Sequence, residues 1–230
     1  MARIPKRDQP PQAVRLIRAE LAKLMATEDP EHPGEVIGSS VGVYAYFDYD
    51  YEPIYVGQTA LAFRDRVGRH LTGQRSDAVA KFILDPFEVA YVSMWSIPAV
   101  ATAPKGEKKA MLDPYEYTVY KMLEKQSQFG AVLNEGVIKR TDLVDLPKVV
   151  TGRIIPNELW EERGHSDIRI ARRAATISRL SQMISEREVS GGMRRTLLLQ
   201  AKRLAWLAER RIHDIGATVP DAEDAAISED

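Results

Sequence analysis

The stretch GVYAYFDYDYEPIYVG, residues 42–57, decides how this chain is read. From Gly42 to Asp48 the side chains alternate, with Val43, Ala45 and Phe47 on one side and Tyr44, Tyr46 and Asp48 on the other. That period of two marks a strand. Asp50-Tyr51-Glu52-Pro53 carries turn formers, and Ile54-Tyr55-Val56 reads as a short second strand, so the segment folds back on itself as a hairpin.

Working outward, a helix is expected over about 60–72 and a third strand from Glu88 to Trp95. Asp113-Pro114 has the form of an N-cap followed by a first-turn proline, opening a helix to about Gln126, and Phe129 to Leu133 is a candidate strand. Upstream, Val14, Ile17, Leu21 and Leu24 share one face of an amphipathic helix over Gln12 to Met25, which the Pro/Gly-rich stretch 29–34 breaks. Downstream, Leu146 to Trp160 contains Pro147, Gly152 and Pro156 and reads as an extended linker. Two helices are expected over about 167–187 and 193–213, separated by Ser190-Gly191-Gly192. The fold class is therefore α/β (α+β), with a small three-stranded mixed sheet flanked by helices and added helices at both ends. The chain divides into an N-terminal helical extension (1–38), a core (39–140), a linker (141–165), a basic helical hairpin (166–216) and an acidic tail expected to be disordered (217–230).

Composition narrows the function classes. At 230 residues, 44% hydrophobic and 28% charged, the chain has an ordinary globular make-up. No run approaches the roughly 20 apolar residues of a membrane span, so no membrane partner is expected. The first residues lack an apolar signal segment, and there is no cysteine, which excludes disulfides and thiolate zinc sites; a cytoplasmic setting is the expectation. The net charge of -1 hides an asymmetry: Arg163 to Arg211 carries twelve Lys/Arg against four Asp/Glu, whereas Asp214 to Asp230 carries six acids and no base. A basic segment of this kind is able to grip phosphate whatever the overall sum.

Gly42-Val43-Tyr44, ten residues, then Tyr55-Val56-Gly57 resembles the paired motifs that name the GIY-YIG nuclease family. The resemblance covers about residues 40–136. It implies an arginine, often with a histidine one turn later, on the following helix, which Arg66 and His70 match at i and i+4. It also implies a metal-holding glutamate in a later helix and an asparagine beyond it, for which Glu116 and Asn134 are the candidates, although the family spaces these two more closely. The resemblance implies a catalytic set of Tyr44, Tyr55, Arg66, His70, Glu116 and Asn134, with Glu116 as the ligand of Mg²⁺ or Mn²⁺ and DNA as the partner.

The chemistry suits those residue types. Phosphodiester hydrolysis needs a deprotonated water and a cation to neutralise charge at phosphorus. A tyrosine of ordinary pKa is only about 0.1% phenolate at neutral pH, so a neighbouring cation is needed before it serves as a base. Arginine grips a non-bridging phosphate oxygen bidentately, and a lone carboxylate with waters suits Mg²⁺. Each residue also has a plainer reading. The tyrosines fit as strand aromatics, Arg66 and His70 as surface charges, Asn134 as a turn residue, and Glu116 as the reach-back member of a capping box begun at Asp113. Glu124 is the reserve metal ligand.

In the C-terminal helices, Ile170, Ala174, Ile177 and Ile184 share a face, as do Leu197, Ala201, Leu204 and Ala208. The outer faces would then carry Arg172, Arg173, Arg179, Arg194, Arg195, Lys202, Arg203, Arg210 and Arg211, either as the solvated side of a packing appendage or as contacts to a DNA backbone. A homodimer is a further expectation, and an unidentified protein partner stays open. The leading function is a DNA endonuclease of restriction or defence; a structure-selective repair nuclease and a non-catalytic binding module of the same fold are the alternatives.

Overall fold

The computed structural model describes residues 10–71, 85, 87–134, 136–189 and 191–217, with the side chains of 69–71 outside that description. The acidic tail beyond 217, expected to be disordered, lies outside the described residues. In chain order the elements are α1 (Gln12–Met25), β1 (Glu28–Asp29), β2 (His32–Val36), β3 (Gly42–Phe47), β4 (Pro53–Thr59), α2 (Phe63–Leu71), β5 (Tyr91–Ser96), α3 (Ala99–Thr102), α4 (Lys108–Gln126), β6 (Val149–Arg153), α5 (Asn157–Gly164), α6 (Ser166–Glu186) and α7 (Gly191–Asp214). Among the described residues the chain is a mixed α and β protein with two small antiparallel sheets, β1-β2 and β4-β3-β5-β6. No helix among the described residues is long and apolar enough to cross a membrane.

The main sheet corrects two expectations: it has four strands rather than three, and it is antiparallel throughout rather than mixed. The fourth strand, β6, comes from the stretch read as linker, pairing Met94 with Val150 and Tyr91 with Arg153. Its punctuation misleads because Pro147 and Pro156 lie outside the strand, leaving only Gly152 within it. A further correction concerns α4, which begins at Lys108, so Asp113 is not its cap and Pro114 lies inside the helix. Glu116 therefore sits in the body of the helix, just past that proline, and the capping-box reading loses its helix end. Phe129 to Leu133 forms no strand; the Leu133 amide nonetheless donates to the Ile54 carbonyl at 2.9 Å alongside β4.

Alternation in β3 splits the core into two layers, as the sequence implies. Tyr44 and Tyr46 are fully buried with Phe63 and Val67 of α2, Leu21 and Leu24 of α1, and Met94. Val43, Ala45, Phe47 and Val56 face the other way, onto Leu112, Val119 and Leu123 of α4. The central hairpin is thus held from both sides by apolar burial, the dominant favourable term in folding.

The C-terminal hairpin packs in a way the sequence reading inverts. Its buried positions are Arg169, Arg173, Thr176, Leu180 and Met183 on α6 and Gly192, Met193, Thr196, Gln200, Arg203 and Leu207 on α7, a stripe one residue out of phase with the expected apolar one. Arg173 and Arg203 therefore turn inward, not outward, and each is nearly inaccessible at 5% and 1% exposure. Their partners are the acids of the β3–β4 turn and Glu88. Arg169 meets Asp48 at 3.2 Å and Asp50 at 2.7 Å; Arg173 meets Asp48 at 2.8 Å and Glu88 at 3.2 Å; Arg203 meets Glu52 at 3.1 Å. Arg203 also donates to the carbonyls of Pro53 and Ala131, at 2.8 and 3.2 Å. Asp48 braces the turn from within, its Oδ1 accepting from the amides of Asp50 and Glu52 at 2.9 and 3.1 Å. Burial lowers the Arg203 pKa to about 10, which still leaves it charged at neutral pH against Glu52.

Such buried pairs gain little over an apolar substitute but cost much when one partner is removed, because the other charge stays dry and alone. Arg203→Ala is accordingly expected to destabilise the chain by about 3–5 kcal/mol. The double variant Arg203→Met with Glu52→Gln is expected to recover most of that loss. Urea unfolding of wild type and both variants measures the difference, and a single variant as stable as wild type would contradict the pairing.

Candidate active site

Register builds the site. β3 and β4 set Tyr44 opposite Gly57 and Tyr46 opposite Tyr55, so all four share one face of the sheet. The ring centroids of Tyr44, Tyr46 and Tyr55 lie 5.4 to 6.1 Å apart, a triangle of tilted and stacked aromatics. Gly57 makes the triangle possible. A Cβ there would stand 2.7 Å from both the Tyr44 hydroxyl oxygen and Tyr55 Cε1, closer than atoms are able to pack. Gly42 is required against backbone rather than side chains, since a Cβ at that position would lie 2.0 Å from the Trp95 carbonyl oxygen. Both motif glycines are thus explained by close approach.

Arg66 reaches this face from α2. The helix is phased by Phe63 and Val67, both fully buried, which sets Arg66 on its flank beside the tyrosines. Burial works against the Arg66 charge, but the neighbouring Tyr44 hydroxyl, reinforced by Tyr55 and Tyr46, more than offsets it and holds the pKa above the usual arginine value. The nearby Arg64 works elsewhere: its Nε donates to the Gly38 carbonyl at 3.0 Å, tying α2 to the segment before β3. His70 follows Arg66 by one turn, and its side chain lies outside the described residues.

Glu116 approaches β4 from the α4 side. Its partner is Gln58, the residue after the second motif, whose Nε2 donates to Glu116 Oε2 and to Asp113 Oδ1, each at 2.8 Å. Burial pushes the Glu116 carboxyl above its ordinary range, with Asp113 adding to the effect and Gln58 and Lys109 opposing it. Asp113 is desolvated too, yet its bonds to Lys109 and Gln58 hold its pKa below the usual aspartate value. Glu124 is engaged elsewhere, accepting from the Tyr120 hydroxyl at 3.2 Å and pairing with Lys121, about 12 Å further along the helix axis. Among the described residues no group of three or more His, Asp or Glu converges as a ready metal cage.

The other candidates are placed as follows. The Asn134 carboxamide is spent on β4, its Oδ1 accepting from the Val56 amide at 3.0 Å and its Nδ2 donating to the Val56 carbonyl at 2.7 Å. It continues the sheet edge as a strand would and fixes the second motif, a positioning role. In the C-terminal hairpin Arg172 is held by Asp85 at 2.8 Å, Arg210 by Asp50 at 2.7 Å and Arg211 by Asp167 at 2.8 Å. Arg179, Arg194, Arg195 and Lys202 are exposed, while Arg173 and Arg203 face the core.

Sequence reasoning missed Gln58 and Asp113. The available signal was alternation: Gln58 is one residue beyond Gly57 and must face the opposite side of the sheet, toward α4. The structure thus brings Tyr44, Tyr55 and Arg66 together on one face, and Glu116 to the other side of the same outermost strand. No protein-family model, no curated protein and no solved structure matches the chain.

Gly57→Ala is expected to displace the tyrosines and to cost about 1–3 kcal/mol as an overpacked site. Thermal melting reports the loss and near-ultraviolet circular dichroism reports the tyrosines; a variant unchanged in both would contradict the contact geometry.

Proposed function

We propose that the chain is a Mg²⁺- or Mn²⁺-dependent endonuclease of GIY-YIG type that hydrolyses DNA phosphodiester bonds, in the service of restriction or defence. The observation that carries this reading is the convergence of Tyr44, Tyr55 and Arg66 over Gly57, at the two motifs whose spacing resembles that family. Arg66 and Glu116 approach β4 from opposite faces, and in this reading one face supplies the group that grips phosphate and the other the carboxylate for the ion.

In this reading Arg66 serves twice. Its guanidinium, anchored on the fully buried Tyr44, stabilises the phenolate form of Tyr55 and grips a non-bridging phosphate oxygen. The half-buried Tyr55 takes the proton of the attacking water. The water oxygen bonds to phosphorus while the bond from phosphorus to the leaving oxygen breaks, and that oxygen takes up a proton from solvent. Glu116 is suited to holding the divalent ion: it is a desolvated carboxylate beside Gln58, whose Oε1 is buried and makes no hydrogen bond. A carboxylate is a hard oxygen donor, in a place where positive charge is wanted. When bound, the ion supplies neutralisation of charge developing on the phosphate. Arg179, Arg194, Arg195 and Lys202 are exposed and in this reading grip a DNA backbone, and cutting both strands calls for a homodimer or a reorientation of the single site.

Plasmid cleavage with Mg²⁺ tests the reading. Tyr55→Phe is expected to slow cleavage a hundredfold or more, the scale of one transition-state group. Glu116→Gln is expected to abolish cleavage while DNA binding survives. A folded Tyr55→Phe chain cutting at the wild-type rate would remove that tyrosine from the mechanism. Wild-type protein that binds DNA yet leaves it uncut would mark a binding module instead.

A further inference from the structure

Gln58 is the group that the chemistry above does not yet use, and it joins the two carboxylates of α4. Its amide has two N–H bonds and spends one on Asp113 Oδ1 and the other on Glu116 Oε2, each at 2.8 Å. The acceptors are three residues apart on α4 and so project from one face, one turn apart. The amide orientation is set by charge: turned over, its Oε1 would confront two carboxylates with no proton between them. As it stands, Oε1 is buried beside them without a hydrogen bond.

The two carboxylates differ in what balances them. Lys109 Nζ lies 2.7 Å from Asp113 Oδ1, and Lys139 Nζ lies 3.5 Å from Asp113 Oδ2. Both lysines come from the protein itself and both converge on Asp113, which is only 5% exposed in its side chain. Among the described residues Glu116 makes no ion pair with a lysine or arginine; Lys109 acts on it only at longer range, and its hydrogen-bond partner is the neutral amide of Gln58. An internal lysine on Glu116 would compete with any external cation, because a tethered group has a high effective concentration.

We infer that Gln58 and Asp113 are positioning residues for a divalent cation at Glu116: Asp113 draws Lys109 and Lys139 away, and Gln58 fixes Glu116 Oε2 through a neutral donor. The inference rests on Glu116 as the cation-holding carboxylate of the proposed nuclease. Asp113 is thus a decoy for the protein's own cations, and the pair acts on the ion only through Glu116. Supporting groups of this kind typically change metal affinity about 10- to 100-fold.

The test uses Mn²⁺ alone, measured by electron paramagnetic resonance on the DNA-free full chain, beside a Mg²⁺ titration of plasmid cleavage. Gln58→Leu keeps most of the side-chain bulk without the amide, and Asp113→Asn keeps an acceptor for Gln58 without the charge. Each is expected to weaken Mn²⁺ binding about tenfold or more. Each should raise the Mg²⁺ concentration for half-maximal cleavage by a similar factor, with much of the rate recovered at saturating Mg²⁺. A purely structural role would instead lower the melting temperature and leave Mn²⁺ affinity alone, and that result overturns the inference. If Gln58→Leu does not fold, Asp113→Asn decides the question by itself. Glu116→Gln separates the two levels. If it binds Mn²⁺ and cuts DNA as wild type does, the assignment of Glu116 falls and this inference with it. If it is dead while the folded Gln58 and Asp113 variants bind Mn²⁺ normally, only the positioning role is lost.

Discussion

The arginines of the C-terminal hairpin, buried against the acidic turn between β3 and β4, hold the rest of the structure in place. Asp48, Asp50 and Glu52 would repel one another in a bare hairpin, and Glu88 would add to the strain. Arg169, Arg173 and Arg203 enter that cluster from α6 and α7, with Arg210 at its edge, and turn repulsion into a network of pairs between 2.7 and 3.2 Å. The turn they lock is the one that sets the register of β3 on β4. That register in turn places Tyr44 over Gly57 and Tyr46 beside Tyr55. The hairpin is therefore an interlocking part of the core and not an appendage to it, although it lies more than a hundred residues downstream of the turn. Buried ion pairs are weak evidence for high stability but serve well to specify one arrangement over others, and specifying this hairpin is the role we assign to them here.

The site is organised around a single strand. β4 is the outermost strand of its sheet, and its side chains alternate between two neighbourhoods within four residues. Tyr55 and Gly57 face α2 and Arg66; Val56 and Gln58 face α4, Asp113 and Glu116. Asn134 holds the middle of the strand by both ends of its carboxamide. One face of the strand thus carries cationic and phenolic groups and the other carboxylates, and the proposed chemistry draws on both.

What was legible in the sequence follows from which physical signals are local. The β3–β4 hairpin, the amphipathic α1 and the long C-terminal helices announce themselves by period, because burial of one face is imposed residue by residue. The fourth strand was illegible because its pairing with β5 is long-range and a glycine sits inside it. The start of α4 was misread because Asp-Pro is a strong local sign of a helix end, overridden here by packing of Leu112 into the core. The inward arginines were missed for a deeper reason. Hydrophobic periodicity assumes that charge faces water, and at Arg169, Arg173 and Arg203 the compensating acids lie far away in the chain. The tyrosines and Arg66 were readable from motif spacing, whereas Gln58 and Asp113 emerge only once α4 is seen against β4.

The central claim is that a guanidinium beside Tyr44 and Tyr55 performs the cleavage chemistry. Chemical rescue tests it most directly: plasmid cleavage by Arg66→Ala is measured with and without added guanidinium ion at non-denaturing concentration. The account predicts a loss of about a hundredfold or more on substitution, part of which the free guanidinium restores in a saturable way while the Tyr55→Phe chain gains nothing from it. A folded Arg66→Ala chain that cuts DNA as fast as wild type, with no response to guanidinium, would contradict it.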